Sequence, residues 1–263
     1  MNNLTQFTAG ITILEVTYVI ASVFFILGLK MLSHPLSARR GNILAAFGMG
    51  LAIIATIIFH RKDGEPIKNI PLILAAIAVG TAFGWVIAKK VKMTAMPQLV
   101  SFFNGMGGAA AALISMMEFP HVDPALIEKS GMANGEVLAI LLGLLIGTIS
   151  WAGSMIAYGK LDGWIGDLRI KSMKWVNLVI LATLIGLIAF VMTRDVQSTK
   201  ELTHFIYIIF SIAIVYGVLF VMPIGGADMP VVISLLNSFT GVAAAMGGFL
   251  YNNQAMLTGG ILV

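Results

Sequence analysis

Eight apolar runs of about 20 residues each constrain this chain more than any other feature of its sequence. They lie at approximately 13–32, 42–59, 70–88, 96–118, 134–158, 175–193, 203–223 and 229–250. A helix of about 20 apolar residues crosses roughly 30 Å of hydrocarbon. Hydrophobic residues make up 59% of the chain and charged residues 11%, which excludes a soluble globular protein. The sequence therefore predicts an all-α, polytopic transmembrane helix bundle.

A ninth helix is predicted to begin near the end of the sequence. This helix starts near Ala255, and the sequence stops at Val263, too soon for the helix to cross the membrane. We therefore expect a C-terminal extension. The connections are short, which favours antiparallel neighbours in one compact bundle. Residues 1–263 are accordingly predicted to form one transmembrane domain, in which the pairs Gly80/Gly84 and Gly143/Gly147 are typical of helix-packing faces.

Basic residues predict the orientation, because Lys and Arg are enriched in cytoplasmic connections. The odd-numbered connections contain ten of the 16 basic residues: Lys30, Arg39, Arg40, Lys89, Lys90, Lys92, Lys160, Arg169, Lys171 and Lys174. This distribution places the N-terminus outside and the C-terminal side in the cytoplasm. The first basic residue is Lys30, so no basic segment precedes the first apolar run, and we interpret that run as a retained span rather than a cleaved signal peptide. The isoelectric point near 9.4 reflects this topology and does not by itself indicate a nucleic-acid partner.

One segment of the chain is repeated. Residues 96–112, MPQLVSFFNGMGGAAAA, align without a gap to residues 229–245, MPVVISLLNSFTGVAAA, with eight of 17 positions identical. Each copy begins with a proline suited to a first helical turn and continues into small residues that permit close helix packing. Because the copies are the fourth and eighth spans, they run in the same direction.

The repeat places an asparagine, Asn104 or Asn237, about 10 Å into each helix. One explanation is that these amides hold neighbouring helices together by hydrogen bonds. The other explanation is that they line a polar pathway or gate. The occurrence of an asparagine at the same position in both copies of the repeat favours this second explanation. Asn104 and Asn237 would then face one another across the pathway.

Charged side chains are missing from the middle of every span. All 12 acidic and 16 basic residues lie in connections or within about two turns of a span end. Proton pumps generally use an ionisable group inside the membrane, whereas Asn, Ser and Thr do not titrate near neutral pH. A proton-moving chain of this kind would need a titrating group from another subunit. The sequence also contains no cysteine, which excludes disulfides and thiolate metal sites, and predicts no metal site.

Three further signals each have a structural explanation. Asp228 stands where a helix N-cap belongs, although its place beside Gly225 and Gly226 also suits a flexible cytoplasmic entrance. Ser154 lies near the cytoplasmic end of the fifth span, where a hydroxyl usually bonds to its own helix. The run GMGGAA at 105–110 fits a dinucleotide-binding pattern, but it lies inside a span and follows no strand, so we interpret it as a packing face.

Three motifs together carry a family resemblance that extends over essentially the whole chain. MTAMPQLVSFFNGMGG, GSMIAYGKLDG and PIGGADMPVVISLLNSFTG resemble the membrane domain of the beta subunit of proton-translocating nicotinamide nucleotide transhydrogenase. The resemblance implies an enzyme complex that couples proton translocation to hydride transfer from NADH to NADP+. It implies a bacterial cytoplasmic (inner) membrane location, and NAD(H) and NADP(H) bound by soluble domains rather than by this chain.

The resemblance also assigns site residues and partners. It places the channel asparagine of the family at Asn237, the aspartate that contacts the soluble domain at Asp228, and the polar residue of the fifth span at Ser154. Many members have a histidine where this chain has Asn104; in members with asparagine there, a small alpha membrane subunit supplies the histidine. The implied partners are the alpha subunits, a C-terminal NADP(H)-binding domain absent from this sequence, and a second copy of the assembly.

Two other functions remain open from the sequence. In a secondary transporter or channel, the repeated helices would line a site for a small polar solute, since parallel repeats are also a transporter design. In an assembly subunit, the asparagines would only bind neighbouring helices.

Overall fold

The computed structural model describes residues 2–62, 65–122, 135–168, 172–193 and 199–263. Its helices in this part of the chain are α1 (Asn2–Leu32), α2 (Ala38–Phe59), α3 (Ile70–Lys90), α4 (Met96–Glu118), α5 (Gly135–Leu161), α6 (Met173–Thr193), α7 (Thr199–Val221), α8 (Met229–Leu250) and α9 (Gln254–Leu262). A short antiparallel pair, β1 (Arg61–Lys62) and β2 (Glu65–Pro66), separates α2 from α3.

The helices confirm the predicted transmembrane bundle. Helices α1 to α8 are long and apolar enough to cross a membrane, and the ninth helix, α9, begins at Gln254, beside the predicted Ala255. Observed helix ends agree with the predicted runs to within four residues, apart from α1, which begins at Asn2. Two of the ten basic residues used for orientation, Arg169 and Lys171, lie outside the described residues.

The helices form two compact units. The first unit comprises Met1–Val91 and Asn253–Leu262, and the second comprises Lys92–Asn252 with Val263. In the first unit, α1 packs on α2 through glycines, and the Tyr18 hydroxyl bonds to the Thr56 hydroxyl at 2.8 Å. Helix α3 has no buried residue. The assignment of the whole chain to one proton-translocating domain stays a prediction.

Helix α5 is the centre of the second unit. Of its 27 residues 17 are buried, and α4, α7 and α8 all pack against it. Helix α6 packs mainly on α7. A transmembrane helix that is apolar on every face is suited to this central position, because each face can be covered by a neighbouring helix.

Small residues bring α4 and α5 together. A methyl group added at Gly147 would lie 2.8 Å from the Gly108 carbonyl oxygen and 3.0 Å from the Ala112 nitrogen. This confirms the packing role predicted for Gly143/Gly147, and it confirms that the GMGGAA run is a packing face. A methyl group placed at Gly80 or Gly84 would contact no described residue within 4 Å outside its own stretch of helix, so the packing face predicted for this pair is not occupied within the described residues.

The repeat is visible in the backbone. Short 3-10 turns, Met93–Ala95 and Gly226–Asp228, lead into α4 and α8, and a proline lies in the first turn of each helix as predicted. At the other end, the Tyr251 hydroxyl donates to Glu118 at 2.7 Å. These two residues are 133 positions apart, the offset of the repeat, so equivalent ends of α4 and α8 meet. Burial raises the pKa of Tyr251, and its hydrogen bond to Glu118 and the charge of Glu118 raise it further.

The packing of α4 on α5 predicts that Gly147→Ala destabilises the protein by about 1–3 kcal/mol. The added methyl would meet backbone atoms of α4, which cannot rotate away as a side chain could, so the helices would have to separate. Chemical unfolding of the purified protein in mild detergent measures the loss.

Gly186→Ala on α6 is the matched control, because its added methyl group meets no described residue within 4 Å outside its own stretch of helix. We expect it to leave stability unchanged or slightly higher, since alanine favours a helix more than glycine does. Equal destabilisation by the two variants would contradict the close contact of α4 with α5.

Candidate functional site

The described part of the second unit contains a cluster of uncharged polar side chains that joins three helices. We call it the amide–hydroxyl cluster, and it consists of Ser101 and Asn104 from α4, Ser150 and Ser154 from α5, and Thr240 from α8. Ser101, Ser150 and Ser154 are fully buried, and Asn104 is 8% exposed. These side chains lie on inward faces because serines four residues apart in α5, and Ser101 and Asn104 three apart in α4, share one side of their helix.

Asn104 connects α4 to α5. Its amide nitrogen donates to the Ser154 hydroxyl at 2.9 Å and to the Ser150 hydroxyl at 3.3 Å. The Ser101 hydroxyl adds a bond to the Ser154 carbonyl oxygen at 2.9 Å. Ser154 therefore binds a neighbouring helix through its hydroxyl, and bonding to its own helix does not explain its position.

Ser150 and Thr240 extend the cluster to α8. Their hydroxyls lie 2.6 Å apart, and the Ser150 hydroxyl also lies 2.9 Å from the Leu236 carbonyl oxygen. The Thr240 hydroxyl lies 3.5 Å from the backbone carbonyl oxygen of Asn104. Since a hydroxyl can both donate and accept, these groups form a continuous hydrogen-bonded series from α4 through α5 to α8.

The side-chain carbonyl oxygen of Asn104 is the unsatisfied group of the cluster. It is buried and has no hydrogen-bond donor among the described residues. At about 1.5 Å per residue, Asn104 lies roughly 12 Å along α4 from Met96, well inside the hydrocarbon zone. The cluster therefore presents a buried acceptor that a water molecule or a donor from another chain could satisfy.

The structure does not bring the two asparagines together. Asn104 points inward, whereas Asn237 is exposed on α8 and forms no hydrogen bond within the described part of the chain. The expectation that they face one another across a pathway is therefore wrong for this chain. The inward position of α8 at this level belongs to Leu236, whose methyl groups pack against Gly153 of α5. Successive helical residues differ by about 100° in direction, so Asn237 is turned outward.

Helices α4 and α8, which contain the two copies of the repeat, are buried at equivalent positions only in their C-terminal halves. Positions 108/241, 112/245 and 115/248 are buried in both helices. Positions 101/234 and 104/237 are buried in α4 and exposed in α8. On α8, Ser234, Asn237 and Ser238 therefore share an exposed polar stripe, of which Asn237 and Ser238 lie within one turn of Thr240.

Asp228 lies at the N-cap position of α8, but its carboxylate does not cap the helix. Its side chain is exposed and makes no capping hydrogen bond. Capping therefore does not account for an aspartate at this position.

Sequence analysis missed Ser150 and Thr240 as members of the site. Both could have been found from helical spacing, since Ser150 lies four residues before Ser154 and Thr240 lies three residues after Asn237. Their mutual contact depends on the packing of α8 against α5, for which the sequence contains no local signal.

Comparisons with known proteins agree with the motifs. Residues 14–263 match the model of the NAD(P) transhydrogenase beta subunit family. Two relatives described as NAD(P) transhydrogenase subunit beta, from Rhodospirillum rubrum and from a designated strain of that species, are each 39% identical over 247 residues. The match covers 94% of this chain and 51% of each relative, so the chain spans about half the length of these relatives. These comparisons give no support to a solute transporter.

The cluster predicts that Ser150→Ala lowers the free energy of unfolding by about 1–3 kcal/mol, because buried partners on α4 and α8 would lose a hydrogen bond. Ser211→Ala is the control, since Ser211 is exposed and, within the described part of the chain, bonds only to the Tyr207 carbonyl of its own helix. We expect the control to change stability by less than about 0.5 kcal/mol in the same unfolding assay. Equal effects would show that the cluster contributes nothing beyond local helix bonding.

Proposed function

Because the chain belongs to the NAD(P) transhydrogenase beta subunit family, we propose that it forms the membrane proton path of a transhydrogenase. In the assembled enzyme, proton translocation would be coupled to hydride transfer from NADH to NADP+. The nucleotides bind to soluble domains in this proposal, and this chain contributes only the path. It lies in the bacterial cytoplasmic membrane as a multi-pass protein, with its N-terminus outside and its C-terminal side in the cytoplasm.

The unsatisfied carbonyl oxygen of Asn104 carries the proposal. A buried acceptor without a donor destabilises a protein by about 1–3 kcal/mol, so its retention at mid-membrane favours a functional donor. The neighbouring hydroxyls of Ser154, Ser150 and Thr240 can rotate and so exchange donor and acceptor roles along the hydrogen-bonded series. None of these groups titrates near neutral pH, so the series can order water or relay a proton but cannot hold the charge.

The titrating group therefore comes from a partner in this proposal. A small alpha membrane subunit would bring a histidine against the exposed stripe of Ser234, Asn237 and Ser238. Polar groups on a lipid-facing surface are unfavourable, and a partner helix that hydrogen-bonds to them would remove that penalty. Asn237 would bind the imidazole at the edge of the path, one turn from Thr240, and Asn104 would lie at its interior end.

Asp228 would couple the path to the nucleotide state. Its exposed carboxylate follows Gly225 and Gly226, so it lies on a segment with few steric restrictions at the proposed cytoplasmic end of α8. Contact with the NADP(H)-binding domain there would open or close the cytoplasmic exit. The complete assembly is proposed to be a dimer.

The proton path predicts that Asn237→Leu suppresses gradient-dependent hydride transfer at least about tenfold, which corresponds to about 1.4 kcal/mol in the barrier. It should reduce the yield of folded protein far less, because Asn237 makes no bond within the described residues. Turnover of the assembled enzyme in sealed vesicles, with and without an imposed proton gradient, measures this effect.

Asn177→Leu is the control for loss of a transmembrane amide. Asn177 on α6 donates to the Leu219 carbonyl and lies outside the amide–hydroxyl cluster. We expect hydride transfer by the Asn177→Leu enzyme to respond to the proton gradient as in the unmodified enzyme. Parallel losses of turnover and folded yield in Asn237→Leu would instead support a role in holding helices together.

The coupling role predicts that Asp228→Asn retains assembly but reduces the acceleration by the gradient. The neutral amide preserves size while it removes the charge available to the soluble domain. Asp162→Asn, which changes another exposed aspartate on a predicted cytoplasmic connection, should behave like the unmodified enzyme. Unchanged coupling in Asp228→Asn would contradict the proposed contact.

A further inference from the structure

A buried lysine joins two connections at one end of the second unit. Lys160 lies in the last turn of α5, and its side chain is only 1% exposed. Its ammonium nitrogen lies 2.9 Å from a carboxylate oxygen of Asp167, 2.6 Å from the Met222 carbonyl oxygen and 2.7 Å from the Ile224 carbonyl oxygen. The lysine therefore contacts the connection after α5 and the connection before α8 at the same time.

All three partners of Lys160 are acceptors. The amine must donate one hydrogen to each of them, which uses all three hydrogens of a protonated lysine. The Asp167 carboxylate supplies the opposite charge, and its side chain remains 38% exposed. A buried charge with full hydrogen bonding and a paired counter-charge is a specific arrangement, since removing either partner leaves the other unsatisfied.

The two carbonyl partners lie just beyond the end of α7. Helix α7 ends at Val221, and the last carbonyl groups of a helix have no partners within it. A cation at a helix C-terminus also interacts favourably with the helix dipole. Lys160 therefore caps the C-terminal end of α7. The Leu168 backbone nitrogen also donates to the Met222 carbonyl oxygen, at 3.3 Å, so this carbonyl accepts two hydrogen bonds.

The position of Ile224 connects this contact to Asp228. Ile224 is followed at once by Gly225 and Gly226, whose backbone has more conformational freedom than that of any other residue pair. Met229, on the far side of Asp228, is fully buried at the start of α8. The segment that carries Asp228 is thus fixed at both ends, by Lys160 on one side and by α8 on the other.

We propose that Lys160 is a positioning residue that holds the Gly225–Asp228 segment in one geometry for contact with the soluble domain. The functional half of this inference rests on the proposed coupling role of Asp228. The structural half does not depend on it, because the three contacts of Lys160 restrict the segment whatever Asp228 binds.

The absence of cysteine from this chain allows a direct test. Spin labels attached at Asp162→Cys and Ala227→Cys, both exposed, report the distance between the two connections by pulsed electron paramagnetic resonance. The measurement is made on the assembled enzyme in vesicles, with partner subunits freed of cysteine. The unmodified Lys160 protein should have one narrow distance distribution, and Lys160→Met should broaden it.

Three further variants separate positioning from simple loss of charge or loss of fold. Lys160→Arg retains donors and charge and should restore a narrow distribution, whereas Lys174→Met, which removes an exposed lysine, should leave it unchanged. Lys160→Gln can satisfy at most two of the three acceptors, and it replaces Lys160→Met if that variant does not assemble. We expect intermediate broadening from it.

Hydride transfer in the same vesicles completes the test. We expect Lys160→Met to lose the acceleration by a proton gradient and Lys160→Arg to keep it. An unchanged distance distribution in Lys160→Met and Lys160→Gln, or a broad distribution with full acceleration, would overturn the positioning role. If the unmodified enzyme itself shows no acceleration, the proposed function fails, while the distance measurements still decide whether Lys160 holds the segment.

Discussion

The close approach of α4 to α5 is the interaction on which the rest of the second unit depends. Gly108 and Gly147 allow the two backbones to meet where any larger residue would hold them apart. One turn from this contact, Asn104 can then reach the hydroxyls of both Ser150 and Ser154. Apolar small residues thus determine the geometry of a polar site, because in a membrane van der Waals packing and hydrogen bonds replace the hydrophobic effect as the force between helices.

The uncharged character of the cluster follows from its environment. An ionised group at this depth would be strongly unfavourable without a partner, whereas amides and hydroxyls can be buried if they bond to one another. This chain has the second kind of site, with one acceptor, the Asn104 carbonyl oxygen, left over. In the proposed proton path, a partner would supply both the missing donor and the titrating group, because the amide and hydroxyls of the cluster do not titrate near neutral pH.

Much of the fold could be predicted because a membrane span has a simple local signal. Apolar length predicted α1 to α8, and Pro97 and Pro230 correctly predicted the first turns of α4 and α8. The directions of side chains were harder to predict. A shift of one residue turns a side chain by about 100°, so Asn237 lies outside although its repeat partner Asn104 lies inside. The contacts of Thr240 and Lys160 join segments that are far apart in the chain. Neither composition nor the spacing of residues within one helix predicts which segments meet.

The central claim is that this chain carries protons for hydride transfer, and its most direct test is the response of the unmodified assembled enzyme to a proton gradient. The enzyme, with its soluble domains and alpha partners in sealed vesicles, would be followed for NADH-dependent reduction of an NADP analogue together with internal pH. The account predicts that an imposed gradient accelerates hydride transfer and that turnover moves protons. Hydride transfer that is indifferent to the gradient would contradict it.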